Sequence, residues 1–118
     1  MAPRKFQFAL REILDEIAWI DQVTASKTFA DFEADRLLRY GVERSLEVVS
    51  EASRRIPDDL KATQSQIDWP AIAGIGNVMR HEYHSTSPEI IWNVVQKHLA
   101  PLQEAVQAIA DAYPESQA

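Results

Sequence analysis

Apolar residues recur at steps of three and four along most of this 118-residue chain, a period that favours helices over strands. Phe6, Leu10, Ile13, Leu14, Ile17 and Ile20 form one stripe, so the spacing predicts a helix over about Arg4 to Val23. Glu12, Asp15 and Glu16 face away from that stripe. Thr28, with Asp31 three residues on, predicts a capped start. The helix behind it carries Phe32, Leu38, Val42, Leu46, Val49 and Ile56 until Pro57 stops it. Such a helix is roughly 40 Å long, and Gly41, Ser45 and Ala52 give it a strip of small residues that another helix can approach. The stretch 58–66 is polar and reads as a connection with a helical turn. Asp68 and Pro70 begin a third helix that runs to about Glu82. Ser87-Pro88-Glu89 begins a fourth, with cap, proline and an acid at the positive end of the helix dipole. Ile91, Val94, Val95, Leu99, Leu102, Val106, Ile109 and Tyr113 follow at helical spacing, with Pro101 as a predicted kink and 114–118 as a frayed tail.

Strands find no support. The chain has only 3 glycines, two of them Gly74 and Gly76, and no Asn-Gly or Asp-Gly pair between alternating apolar residues. The expected architecture is all-α, an antiparallel bundle of four to five helices forming a single domain over 1–118. Apolar residues at 46% allow a modest core that a partner subunit would reinforce. The absence of cysteine excludes disulfides, Cys-ligated zinc and thiol nucleophiles. No signal peptide or membrane-length apolar run is read, which leads us to expect a cytoplasmic protein with no membrane association. The net charge of −6 means that any nucleic acid must be met by a local basic patch, not by the field of the whole molecule.

Chemistry concentrates where the third helix ends. At about 100° per residue, Asn77, Arg80, His81 and His84 fall within about 100° of one another. Histidine moves protons near neutral pH and arginine grips phosphate through paired hydrogen bonds, so the set suits phosphate chemistry without a metal. The same four residues also suit a solvated polar face with no chemistry. His81-Glu82-Tyr83-His84 has one residue between the glutamate and the second histidine, where the zincin pattern needs two. No metal and no cofactor are therefore expected. His98 sits on the apolar stripe of the last helix and reads as a core or interface residue. Trp19, Trp69 and Trp92 read as core anchors. Arg36, Arg39 and Arg44 are interleaved with Glu33, Asp35, Glu43 and Glu47. The spacings Glu33 to Arg36 and Asp35 to Arg39 predict internal ion pairs, with phosphate binding as the alternative.

Five segments together resemble the HepT-like group of HEPN-domain proteins, in order and over nearly the whole chain. They are Asp35-Arg36-Leu37-Leu38-Arg39, Glu43-Arg44-Ser45-Leu46-Glu47, Trp69-Pro70-Ala71-Ile72-Ala73-Gly74, His81-Glu82-Tyr83 and Pro88-Glu89-Ile90-Ile91-Trp92. The resemblance implies an all-α homodimer with active sites at the dimer cleft. It implies a metal-independent ribonuclease toxin acting on RNA, silenced when a small nucleotidyltransferase antitoxin attaches AMP to the motif tyrosine. By position the family histidine falls on His81, the tyrosine on Tyr83 and the asparagine on Asn77. The family motif has an arginine directly before the asparagine, and this chain has Gly76. Arg80, one turn on and about 40° around the helix, is the candidate replacement. In this reading His81 shuttles a proton while an RNA 2′-hydroxyl attacks the adjacent phosphate. Asn77 orients the histidine or the phosphate, Arg80 neutralises developing charge and Tyr83 is the control point. The alternatives are a degenerate HEPN binding module that still docks on the nucleotidyltransferase, and an unrelated helical adaptor.

Overall fold

The structure, a computed structural model, describes residues 6–81 and 87–114, of which 77–81 are described as backbone only. Seven α-helices are found among the described residues, with no strand. They are α1 (Phe6–Thr24), α2 (Phe29–Ala34), α3 (Arg36–Ser53), α4 (Asp58–Lys61), α5 (Trp69–His81), α6 (Pro88–Lys97) and α7 (Leu99–Ala112), with a 3₁₀ turn at Ala62–Gln64 between α4 and α5. Helix α1 is central, packing on α3 and on α7, while α3 packs in turn on α5. The predicted stripes form the core. Ile13, Ile17, Ile20, Val42, Leu46, Val49, Leu102 and Val106 are fully buried.

The long second helix expected from the sequence is two helices meeting at Asp35. The capping box is present: Asp31 N–H donates to Thr28 Oγ1 (3.1 Å) and Thr28 N–H donates to Asp31 Oδ2 (2.9 Å). The Thr28 N–H, with the Thr28 hydroxyl second, holds the exposed Asp31 carboxyl below its ordinary pKa. Asp35 has extended backbone, and its carboxylate accepts Leu38 N–H at 3.0 Å, so one residue closes α2 and opens α3. The reason is phase. In an unbroken helix Phe32 would stand at the edge of the apolar stripe, roughly 80° from Val42. The break turns Phe32 fully inward, against Trp92, with ring centroids 5.1 Å apart.

The last helix is also divided, three residues before the predicted kink. A proline clashes with the carbonyl four residues back, here that of Lys97, which is the last residue of α6. Pro101 lies in the first turn of α7, where its missing donor leaves no hydrogen bond unmade. His98 is the junction and is exposed, which removes the core half of its reading as a core or interface residue: the break carries it off the apolar stripe. Trp19 is likewise 40% exposed rather than a core anchor, although its ring covers Gly41. A Cβ on Gly41 would lie 2.8 Å from Trp19 Cη2, and nearby Ser45 donates to Glu16 Oε1 at 2.6 Å. The small-residue strip therefore does let α1 and α3 approach closely. Trp69 is buried, its Nε1–H donating to the Lys61 and Gln64 carbonyls, both at 3.1 Å. No helix among the described residues is long and apolar enough to cross a membrane.

Candidate functional site

Helix α5 carries the candidate residues, so what fixes α5 fixes the site. Its start is capped as predicted, with Asp68 Oδ1 accepting Ala71 N–H at 3.1 Å and Pro70 in the first turn. One and a half turns on, α3 grips its backbone. Ser50, only 1% exposed, donates from Oγ to the Ala73 carbonyl (2.7 Å) and accepts Gly76 N–H (2.9 Å). Arg54, one turn further along α3, donates from Nη2 to the same Ala73 carbonyl at 3.0 Å. The contact moves from Gly76 back to Ala73 as α3 advances from Ser50 to Arg54, so the two helices run in opposite directions here. Gly76 is buried in this joint.

That placement gives the missing arginine a physical context. Position 76, where the resembling family carries its arginine, is part of the α3–α5 contact in this chain. On an ideal helix, positions 73, 77 and 80 lie within about 60° of one another, with 76 and 81 on opposite flanks. Asn77, Arg80 and His81 stand on the helical backbone of α5. Their side chains lie outside the described residues. Glu82, Tyr83 and His84 lie outside the described residues altogether. Among the described residues no group of three or more His, Asp or Glu side chains is arranged to hold a metal ion.

The acidic and basic residues of α3 find partners, though not those expected from spacing. Asp35's carboxylate caps Leu38 N–H, and Arg39 donates to the Glu33 carbonyl. Arg36 Nε donates to Tyr40 Oη at 3.1 Å, with its guanidinium over the Tyr40 ring. Arg44 pairs with Glu47 at 3.2 Å. Glu43, Glu47, Ser50 and Arg54 follow one another at steps of four, three and four, so they share the α3 stripe that meets α5. Half-buried Glu43 has its carboxyl pushed up by burial, against the pull of Arg39 and with the push of Glu47. Reading the sequence for motifs passed over Ser50 and Arg54. The available signal was a serine, one step along from Val49, on the apolar face of a helix, a place that needs a hydrogen-bond partner from another element.

The comparisons with known proteins agree with the resemblance. Residues 13–109 match the family model described as Ribonuclease HepT-like. The chain is 31% identical over 100 residues to a protein of Caldanaerobacter subterraneus named "Putative RNase TTE0752", covering 85% of this chain and 89% of that one. It is 30% identical over 94 residues to the "Probable ribonuclease HepT" of Thermococcus cleftensis, covering 80% and 86%. A third relative, "Putative RNase MJ1380" of Methanocaldococcus jannaschii, is 25% identical over 109 residues, covering 92% of this chain and all of the other. No solved structure gives a significant match.

Proposed function

Because the chain belongs to the HepT-like ribonuclease family, we propose that it is a metal-independent endoribonuclease whose chemistry is carried by the end of α5. The observation that carries this reading is the family match over 13–109, which spans the whole of α5 and therefore the asparagine and histidine positions. An RNA 2′-hydroxyl attacks the neighbouring phosphorus and the bond to the 5′-oxygen breaks. His81 takes the proton from the nucleophile or returns one to the leaving oxygen. Asn77 orients the histidine or the phosphate, and Arg80 neutralises the charge that builds on the phosphoryl oxygens. Two copies form a homodimer with the sites at the shared cleft. A small nucleotidyltransferase antitoxin silences the enzyme by attaching AMP to Tyr83, placing a bulky anion beside the RNA path.

The test is cleavage of a labelled RNA in excess chelator by wild type and by His81→Ala. Wild type should cut and leave a 2′,3′-cyclic phosphate or its hydrolysis product, and His81→Ala should lose about 100- to 10,000-fold in rate. Cleavage that persists in His81→Ala refutes the assignment. Gly76 favours a second reading, a HEPN module that docks on the nucleotidyltransferase but no longer cuts. Wild type that binds that partner while leaving RNA intact would select it.

A further inference from the structure

We propose that Arg54, on α3, grips an RNA phosphate beside the α5 site and so supplies from a neighbouring helix a guanidinium that the α5 backbone position 76 does not. The inference rests on the ribonuclease reading, since it names how that site holds its substrate.

The protein carries a net charge of −6, so its attraction for RNA must come from a few local positive groups. Arg55 pairs with Glu12, and Arg44 with Glu47. Arg39 lies close enough to Glu43 to pull its pKa down. Among the described residues the partner of Arg54 is a neutral carbonyl, that of Ala73, and no carboxylate is within ion-pair reach. Its charge is uncompensated there.

Arg54 is exposed, yet one arm of its guanidinium is fixed on α5 at 3.0 Å. A guanidinium has five N–H donors in a planar fork, so a single bond to Ala73 leaves an edge for the paired oxygens of a phosphate. Holding the group in place before RNA arrives reduces the entropy lost on binding. Ala73 lies one turn, about 6 Å, before Asn77 and two turns, about 12 Å, before His81. Arg54 therefore stands at the head of the stripe on which the candidate residues lie, within reach of a phosphate adjoining the one at His81. Gly76, the residue between, puts no side chain in the way.

A shallow depression of about 420 Å³ between α4 and α5 has Asp58, Lys61, Ser65, Trp69, Pro70 and Ala73 among its lining residues. The Lys61 ammonium lies 6.0 Å from the centre of the Trp69 ring. One lysine at this depression and the Arg54 guanidinium at Ala73 form a track toward α5 that suits a single strand held by its backbone.

The experiment measures binding of a fluorescein-labelled 2′-O-methyl oligoribonucleotide, which cannot be cut, across a salt series, alongside cleavage of the corresponding RNA. Arg54→Gln removes the charge but retains an amide donor for the Ala73 carbonyl, and its melting temperature monitors folding. Arg54→Lys retains the charge without the fork. The expected result for Arg54→Gln is about tenfold weaker binding and a plot of log affinity against log salt shallower by about 0.7, the value of one single-strand phosphate contact. Arg54→Lys should keep the wild-type slope. If wild type cuts RNA in a His81-dependent manner while Arg54→Gln binds with wild-type affinity and slope, Arg54 has no such role and the nuclease reading stands. If wild type neither binds nor cuts, both fall. If it binds without cutting, the nuclease reading falls alone and the salt slope still decides Arg54.

Discussion

Replacing Ser50 with alanine tests whether α5 is held by a hydrogen-bonded joint or by apolar packing alone. The substitution removes one hydroxyl that makes two bonds, to the Ala73 carbonyl at 2.7 Å and from Gly76 N–H at 2.9 Å, in a residue only 1% exposed. The two ends are not equivalent. The Ala73 carbonyl keeps the Arg54 donor, so its loss falls near the lower end of the net value of a neutral hydrogen bond, about 0.5–1.5 kcal/mol. The buried Gly76 N–H loses its side-chain acceptor, a change worth about 1–2 kcal/mol. Together they predict a destabilisation of about 2 kcal/mol. At roughly 2.1 cal/mol/K of unfolding entropy per residue, a chain of this length unfolds with about 0.25 kcal/mol/K, so Tm should fall by about 8 °C. Thermal melts followed by circular dichroism measure this directly. Pairing Ser50→Ala with Arg54→Ala adds a sharper criterion. Both donors converge on one carbonyl, so removing the second should cost more once the first is gone, by about 0.5–1 kcal/mol. A Ser50→Ala protein melting within 1–2 °C of wild type, about the effect of an ordinary surface substitution, would refute the joint and with it the claim that α3 sets the register of α5.

Three further outcomes follow from the same helix pair. Gly76→Arg should melt lower than Ser50→Ala, because a charged side chain must leave a buried joint; a Tm at or above wild type would show that position 76 is not part of it. Gly74→Ala should raise Tm, by about 0.5–1 kcal/mol of stability, since its added Cβ meets nothing within 4 Å and helical alanine restricts the unfolded chain; an unchanged or lower Tm counts against that account. Glu43→Gln should stabilise the protein at pH 7. Burial raises the folded pKa of Glu43 above its ordinary 4.5, so the ionised form is penalised in the folded state. That penalty is absent below about pH 4.5, grows as pH rises from there, and is complete above the raised value. The Tm gap between Glu43→Gln and wild type should therefore close on acidification, and a gap equally wide at pH 7 and pH 4 would contradict the assignment.

Much of the fold was legible because helical period and capping are local properties. The Thr28–Asp31 box, the Asp68 cap and the Ser87 start are decided within four residues, and each is present. The two breaks were harder because they resolve conflicts between distant partners. Phe32 has to meet Trp92 on α6 while Val42 and Leu46 stay with the main core, and only Asp35, a residue able to cap, lets both happen. Pro101 was visible, but its effect is felt four residues back, so the helix divides at His98 and that histidine faces outward. The candidate site was legible as a set of side-chain types on one turn of helix. The joint was not, because it depends on which turn of α3 lies against which turn of α5, and that register is set by the packing of both on the rest of the bundle.

Helix α5 shows why the register matters for function. Two of its 13 residues, Gly74 and Gly76, are glycine, each about 1 kcal/mol less favourable than alanine in a helix interior. Its intrinsic preference is therefore weak just before the turn that bears Asn77, Arg80 and His81. What holds it helical there is external: the buried indole of Trp69 on the Lys61 and Gln64 carbonyls, the Asp68 cap, and the Ser50 and Arg54 bonds to Ala73 and Gly76. An arginine at 76 would restore a guanidinium but displace the contact that keeps the helix in register. A glycine at 76 keeps the contact and leaves the guanidinium to come from elsewhere. Arg54 already touches α5 within one turn of Asn77, so in this chain the element that positions the helix can also be the one that meets the phosphate.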